Sequence, residues 1–158
     1  MKAASSAELK KALHTLDKTE LVELCLRLAR FKKENKELLS YLLYEEDDLD
    51  QYISHVKIVI DEGFGDLNTK SIYFAKKGLR KTLRLANKYI RYTGDKLAET
   101  EILLHYATNF RGMKLPWLKS TALVNLYKGV LKKIGAAIDT MHEDLQHDYR
   151  KSWDRLQL

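Results

Sequence analysis

The chain has 158 residues, a usual length for one domain, and 45% of them are hydrophobic, which is enough for a buried core. Seven glycines and one proline are too few for a collagen-like or disordered chain, or for a fold built from many hairpins. The net charge of +6 permits a polyanionic partner without requiring one.

The sequence also limits the class of protein and its compartment. No apolar run approaches the roughly 20 residues that a membrane-spanning helix needs. The N-terminal residues 1–11 lack the apolar region of a secretory signal. Cys25 is the only cysteine, which excludes an intramolecular disulfide and a cysteine-rich zinc site. We therefore expect a cytoplasmic protein without a membrane span.

Helical periodicity runs through almost the whole chain, and no segment alternates in the way of a strand. Residues 1–5 are expected to be disordered, and residues 6–13 are predicted to form a short first helix. Asp17 and Glu20 have the spacing of a capping box and should start a second helix. Its apolar residues recur at spacings of three, four or seven, which predicts one buried stripe. The stripe consists of Leu21, Leu24, Leu28, Phe31, Leu38 and Leu42.

An acidic run at residues 45–50 is predicted to begin a third helix, because carboxylates are favoured at the positive end of the helix dipole. Residues 63–69 hold two glycines and two cap-type residues, a composition typical of a loop. The residues of the third helix that should face the core are Leu49, Ile53, Val56 and Ile60.

A fourth helix is predicted from about residue 68 to residue 93, with Gly94 as its end. Asp95 should open a fifth helix that ends near Gly112. After Pro116, apolar residues step by four and three, which predicts one long C-terminal helix. The expected fold is therefore all-α, a single-domain bundle of about six helices that covers residues 1–158.

Charge separates sharply between the third and fourth helices. Residues 45–68 hold eight acids and one lysine, whereas residues 69–94 hold eight basic residues and no acid. Six cations of the fourth helix fall within roughly 100° of one another at helical spacing. These six, named here the basic face, are Lys77, Arg80, Lys81, Arg84, Lys88 and Arg91. Leu79, Leu83, Ala86 and Ile90 lie on the opposite side.

Three interpretations of the basic face remain open. It is an ordinary solvated surface, or it is offset by the acidic third helix, or it binds phosphates or an acidic partner. Phe74, Tyr89 and Tyr92 lie near its edge and could stack on bases, although aromatic residues beside an apolar stripe are commonly core. Neutralising six phosphates would give a log–log salt slope near −5.

No motif in the sequence assigns catalysis, and we expect no cofactor and no metal. Two Asp-x-x-His pairs, Asp139 with His142 and Asp144 with His147, have the spacing of metal ligands on a helix. Because the two histidines are five residues apart, they point about 140° away from each other and do not suit one metal ion. Cys25 lies among leucines and is expected to be a small buried hydrophobe.

The C-terminal residues suggest a protein interface. Tyr149, Trp153 and Leu156 are apolar or aromatic residues near the chain end, and they would favour a partner protein or a homodimer. The other possibility is that they fold back onto their own chain.

Residues 8–13 read Glu-Leu-Lys-Lys-Ala-Leu and are followed by Leu16-Asp-Lys-Thr-Glu-Leu21. This start, and the long helix after it, resembles small all-helical bacterial proteins of an uncharacterised family. The likeness is firmest over residues 8–44, and the basic fourth helix and the fifth helix are loosely similar. The resemblance implies a cytoplasmic bacterial protein with a helical fold, and it carries over no activity and no functional residues.

Together these patterns predict a non-enzymatic helical interaction or scaffold protein. The alternative is a nucleic-acid-binding protein that uses the basic face.

Overall fold

The computed structural model describes all 158 residues as eight α-helices and one 3-10 turn, without a β-strand. The helices are α1 (Ser6–Leu13), α2 (Lys18–Phe31), α3 (Lys33–Tyr44), α4 (Leu49–Gly65), α5 (Ile72–Thr93), α6 (Lys96–Arg111), α7 (Thr121–Ile138) and α8 (Glu143–Asp154). The 3-10 turn is Trp117–Lys119. The all-α prediction is confirmed, and the count of about six helices is wrong. None of the helices combines the length and the apolar character needed to span a bilayer.

The chain divides into two compact units. The N-terminal unit, Met1–Tyr44, contains α1 to α3, and the C-terminal unit, Glu45–Leu158, contains α4 to α8. The single domain over residues 1–158 stays a prediction.

Helix starts and one helix end follow the local sequence signals. In the capping box of α2, the Glu20 amide donates to Asp17 Oδ1 over 2.8 Å and the Asp17 amide donates to Glu20 Oε2 over 2.9 Å. Asp48 caps α4 by accepting from the Gln51 amide, and Asp95 caps α6 by accepting from the Ala98 amide. Gly94 ends α5 with φ 60°, the left-handed conformation that favours glycine.

The expected second helix is broken at Lys32, whose backbone is extended (φ −144°, ψ 145°). In a continuous helix the Leu28 carbonyl would accept from the Lys32 amide. Instead the side-chain amide of Asn35 donates to that carbonyl over 2.8 Å. The side chain of Asn35 therefore replaces a backbone donor, and a new helix, α3, begins directly after Lys32.

The expected long C-terminal helix is also wrong, because the chain turns between α7 and α8. His142 has extended backbone (φ −61°, ψ 144°) and caps α8, and Gln146 Nε2 donates to the Met141 carbonyl over 2.7 Å. The turn folds α8 back against α7, where the indole of Trp153 reaches Gly135. A hypothetical Cβ on Gly135 would lie 3.1 Å from that ring.

The loop expected at residues 63–69 begins later than predicted, since α4 continues to Gly65. Gly63 lies where α4 meets α5, and a Cβ there would be 2.5 Å from Thr82 Oγ1. Phe64 packs edge-on against Tyr106 of α6 at 5.2 Å between ring centroids. Gly63 therefore allows α4 and α5 to pack closely, and it does not form a turn.

The core of the C-terminal unit is centred on α6, which packs against α4, α5, α7 and α8. Ile102, Leu103, Tyr106 and Phe110 of α6 are fully buried. The Phe110 ring lies 5.0 Å from that of Trp117 and 5.2 Å from that of Tyr127. As predicted, Ile53, Val56 and Ile60 of α4 also face this core, whereas Leu49 is only half-buried.

The N-terminal unit has almost no core. The buried stripe predicted for it is wrong, because Leu28 is 55% exposed and Phe31 is 77% exposed. Cys25, expected to be buried, is exposed as well. Tyr41 is the one buried residue in α1 to α3.

Candidate nucleic-acid interface

The basic face lies on the solvent side of α5. The apolar side of this helix is buried through Ala75, Leu79, Ala86 and Ile90. Five of the six cations are exposed and Lys88 is half-buried, with its ammonium 4.9 Å from the ring centroid of Tyr89. The amphipathic arrangement predicted for this helix is therefore present.

Most of these cations are not neutralised within the chain. Neither an ion pair nor a side-chain hydrogen bond involves Lys77, Arg80, Lys81, Arg84 or Arg91. The acidic run at residues 45–50 forms no ion pair with them either. Glu62 and Asp66 border a shallow depression together with Lys77 and Lys81, yet no carboxylate oxygen comes within 4.0 Å of an ammonium there. The positive charge of the basic face thus meets solvent.

Two aromatic side chains are exposed at the N-terminal end of the basic face. Tyr73 is 66% exposed and Phe74 is 48% exposed, and their rings pack edge-on at 5.4 Å. Tyr73 borders a shallow depression of about 510 Å³ together with Arg80 and Arg84. The sequence interpretation missed Tyr73, although it is four residues before Lys77 and so falls in the same angular sector.

The four residues considered for metal binding are not gathered into a site. Asp139 pairs with Arg150, and His142 Nδ1 lies 3.5 Å from Asp144 Oδ2 at the start of α8. His147 is exposed further along that helix. No group of three or more His, Cys, Asp or Glu side chains is placed to hold a metal ion.

A polar cluster connects α4, α6 and α8. Glu101 receives the ammonium of Lys57 on one carboxylate oxygen and the hydroxyl of Tyr149 on the other, the latter over 2.6 Å. Burial raises the pKa of Glu101, but the hydrogen bonds from Lys57 and Tyr149 and the nearby positive charges outweigh it and leave the pKa below its usual value. Burial and the bond to Glu101 raise the pKa of Tyr149.

His105 continues this cluster, with its Nε2 2.6 Å from Asp61 Oδ1. Asn109 donates to the same carboxylate oxygen over 3.0 Å. Each charge in the cluster has an opposite charge or a hydrogen-bond donor beside it within the chain. The cluster therefore fixes three helices to one another, in contrast to the unpaired charges of the basic face.

The three residues predicted as a partner interface contact their own chain. Tyr149 donates to Glu101, as described above, and the Trp153 indole nitrogen donates to the Leu131 carbonyl over 2.7 Å. Leu156 is buried, and its carbonyl accepts from the Tyr127 hydroxyl over 2.8 Å. Their role toward a partner stays a prediction.

No family model, no curated protein and no solved structure matches this chain. The functional assignment therefore rests on the charge and geometry of the described surfaces.

Proposed function

We propose that this protein is a non-enzymatic interaction protein whose main binding surface is the basic face of α5, and that this surface binds nucleic-acid phosphates. The observation that carries the proposal is that five of its six cations have no partner within the chain. Of the three interpretations open from sequence, internal pairing is the one that the ion-pair geometry disfavours. A bacterial, cytoplasmic setting stays a prediction.

The dimensions of the basic face suit a nucleic-acid strand. From Lys77 to Arg91 the helix rises about 21 Å, at 1.5 Å per residue. A strand places one phosphate about every 3.4 Å along a duplex axis, and an unpaired strand spaces its phosphates more widely, so at most about six phosphates lie within that length. The chain supplies six cations over the same distance.

The exposed aromatic rings add a contact that charge alone does not provide. Tyr73 stands beside Arg80 and Arg84 in the depression on α5. A base that stacks on an exposed aromatic ring contributes about 1–3 kcal/mol, and an unpaired strand offers its bases most readily. This arrangement favours single-stranded over double-stranded nucleic acid.

The proposal is tested by fluorescence anisotropy with labelled single- and double-stranded DNA and RNA between about 50 and 200 mM salt. The variant Arg80→Glu with Arg84→Glu reverses two exposed cations one helical turn apart. We expect its Kd to rise about 10- to 100-fold and the salt slope to fall by about 2, since two phosphate contacts are lost.

The matched control is Lys128→Glu with Lys132→Glu, which makes the same charge change at the same spacing on exposed positions of α7. Equal loss of binding in both variants would show that only net charge matters. Retention of nucleic acid by the α5 variant would reject the proposed surface. Polyglutamate that competes as well as nucleic acid would instead indicate an acidic protein partner.

A further inference from the structure

The surface of the N-terminal unit carries an unusual amount of exposed apolar side chain. Nine such residues of α2 and α3 are between 36% and 82% exposed. They are Val22, Leu24, Leu26, Leu28, Phe31, Leu38, Leu42, Leu43 and Tyr44. Large exposed apolar patches mark interaction sites, so these side chains are candidates for burial against a partner.

The N-terminal unit is also too small to be held by its own contacts. α1, α2 and α3 have 8, 14 and 12 residues, and isolated helices shorter than about 12–15 residues are marginal in water. Units near 40 residues usually need disulfides, metals or association. This unit has one free cysteine and no metal cluster. Burial of its exposed side chains against a further surface would add to its stability.

The apolar surface of α2 has the pattern of a helix-pairing seam. Leu21, Leu24, Leu28 and Phe31 follow one another at spacings of three, four and three, the two apolar positions of a heptad. When two such helices pack antiparallel, the seam of one copy contacts the seam of the other, with Leu24 opposite Leu28 of the second copy. A second copy of α2 therefore fits the seam that this chain leaves exposed.

The charges beside the seam also favour a second copy of α2, and they favour its antiparallel orientation. Glu20 and Glu23 lie in the first half of α2, and Arg27 and Arg30 lie in the second half, all within about 80° on the helix. Glu23, Arg27 and Arg30 form no ion pair within the chain. In an antiparallel pair with Leu24 opposite Leu28, each glutamate lies within one helical turn of an arginine of the second copy, whereas a parallel pair would oppose like charges.

We propose that α2 and α3 form the contact surface for a second copy of this chain, as an antiparallel four-helix arrangement centred near Cys25. This dimer uses a different surface from Tyr149, Trp153 and Leu156, and it does not depend on the nucleic-acid proposal. Four helices paired in this way bury their facing stripes as in other bundles.

The first test is sedimentation equilibrium of the full chain. The wild type should sediment at twice the 18.4-kDa chain mass. Leu28→Gln with Phe31→Gln should raise the dimer Kd at least about 100-fold, because the central contacts of an interface dominate its affinity. The control Leu118→Gln with Leu145→Gln, at exposed apolar positions of the C-terminal unit, should leave the Kd unchanged. A wild-type monomer at about 100 µM, or equal effects of both variants, overturns the proposal.

The second test reverses charge and does not depend on how well the first variants fold. Glu23→Arg and Arg27→Glu should each raise the dimer Kd about 10-fold, since each creates like-charge contacts across an antiparallel pair. The chain that carries both changes should recover wild-type affinity, because the pairs are exchanged rather than lost. Single changes without effect, or a double variant weaker than either single one, reject the antiparallel arrangement. Glu20 is left intact because it belongs to the capping box of α2.

Discussion

Both units of this molecule are helical, but the C-terminal unit buries its apolar side chains and the N-terminal unit exposes most of them. In the C-terminal unit, α6 alone buries Ile102, Leu103, Tyr106 and Phe110 completely. In the N-terminal unit, α2 is more strongly amphipathic than α6, yet Phe31 in its apolar stripe is 77% exposed. An apolar stripe therefore does not by itself determine that a helix is buried within its own chain.

The same contrast holds for charge. The cations and carboxylates between α4, α6 and α8 are paired, as Lys57 is with Glu101. Those of the basic face on α5 are mostly unpaired. Paired charges fix helices to one another, whereas unpaired charges of one sign remain available for a ligand.

The largest effect is expected for Phe110→Ala, which leaves a cavity among the rings of Tyr106, Trp117 and Tyr127. The free energy of unfolding of the C-terminal unit should fall by about 3–5 kcal/mol. Phe31→Ala, in the N-terminal unit, should change it by less than about 0.5 kcal/mol. Urea unfolding followed by tryptophan fluorescence measures both. Similar losses in the two variants would contradict the difference in burial between the two units.

A smaller effect is expected for Gly63→Ala. Its Cβ would meet Thr82 Oγ1 at 2.5 Å and Thr82 Cγ2 at 2.8 Å, so α4 and α5 must separate. We expect a loss of about 1–3 kcal/mol in the same urea experiment. Gly129→Ala, with no atom within 4 Å of its Cβ, should instead gain about 0.5–1 kcal/mol from helix propensity. A gain in both variants would show that α4 and α5 pack loosely.

The smallest effect is expected for Glu101→Gln, with a loss of about 1–2 kcal/mol near neutral pH. The pKa of Glu101 is lower in the folded chain than its ordinary 4.5, so the carboxylate stabilises the fold above that pH. This contribution is lost as the pH falls through the folded value. The difference between wild type and variant should therefore close below about pH 4.5, as thermal unfolding across a pH series would show. A difference that stays constant with pH would assign the loss to packing instead.

Local signals predicted a good part of the fold. The capping box at Asp17 and Glu20, the start of α6 after Asp95 and the end of α5 at Gly94 depend on residues within one turn of the helix end. The break at Lys32 was missed because it depends on the Asn35 side chain, whose amide substitutes for a backbone donor in the preceding helix. The periodicity of apolar residues gives no sign of such a substitution.

The residues of the basic face were predicted from the sequence, but whether they are paired within the fold was not. Spacing at 100° per residue placed the six cations on one side of α5, and the same spacing includes Tyr73. Whether Lys77 and Lys81 pair with Glu62 and Asp66 depends on distances across the α4–α5 packing. Those distances depend on the close contact between Gly63 and Thr82. The sequence predicts Gly63 in a loop and gives no role to Thr82.

The positions of the two tryptophans allow two spectroscopic signals of the unlabelled chain to be compared. Trp117 lies in the aromatic core and Trp153 against Gly135, and both belong to the C-terminal unit. Indole emission therefore reports on α4 to α8 alone, whereas far-ultraviolet circular dichroism sums all eight helices. If α1 to α3 lose helicity on dilution, the dichroism should change while the emission does not. Unlabelled protein can thus show whether one unit melts before the other.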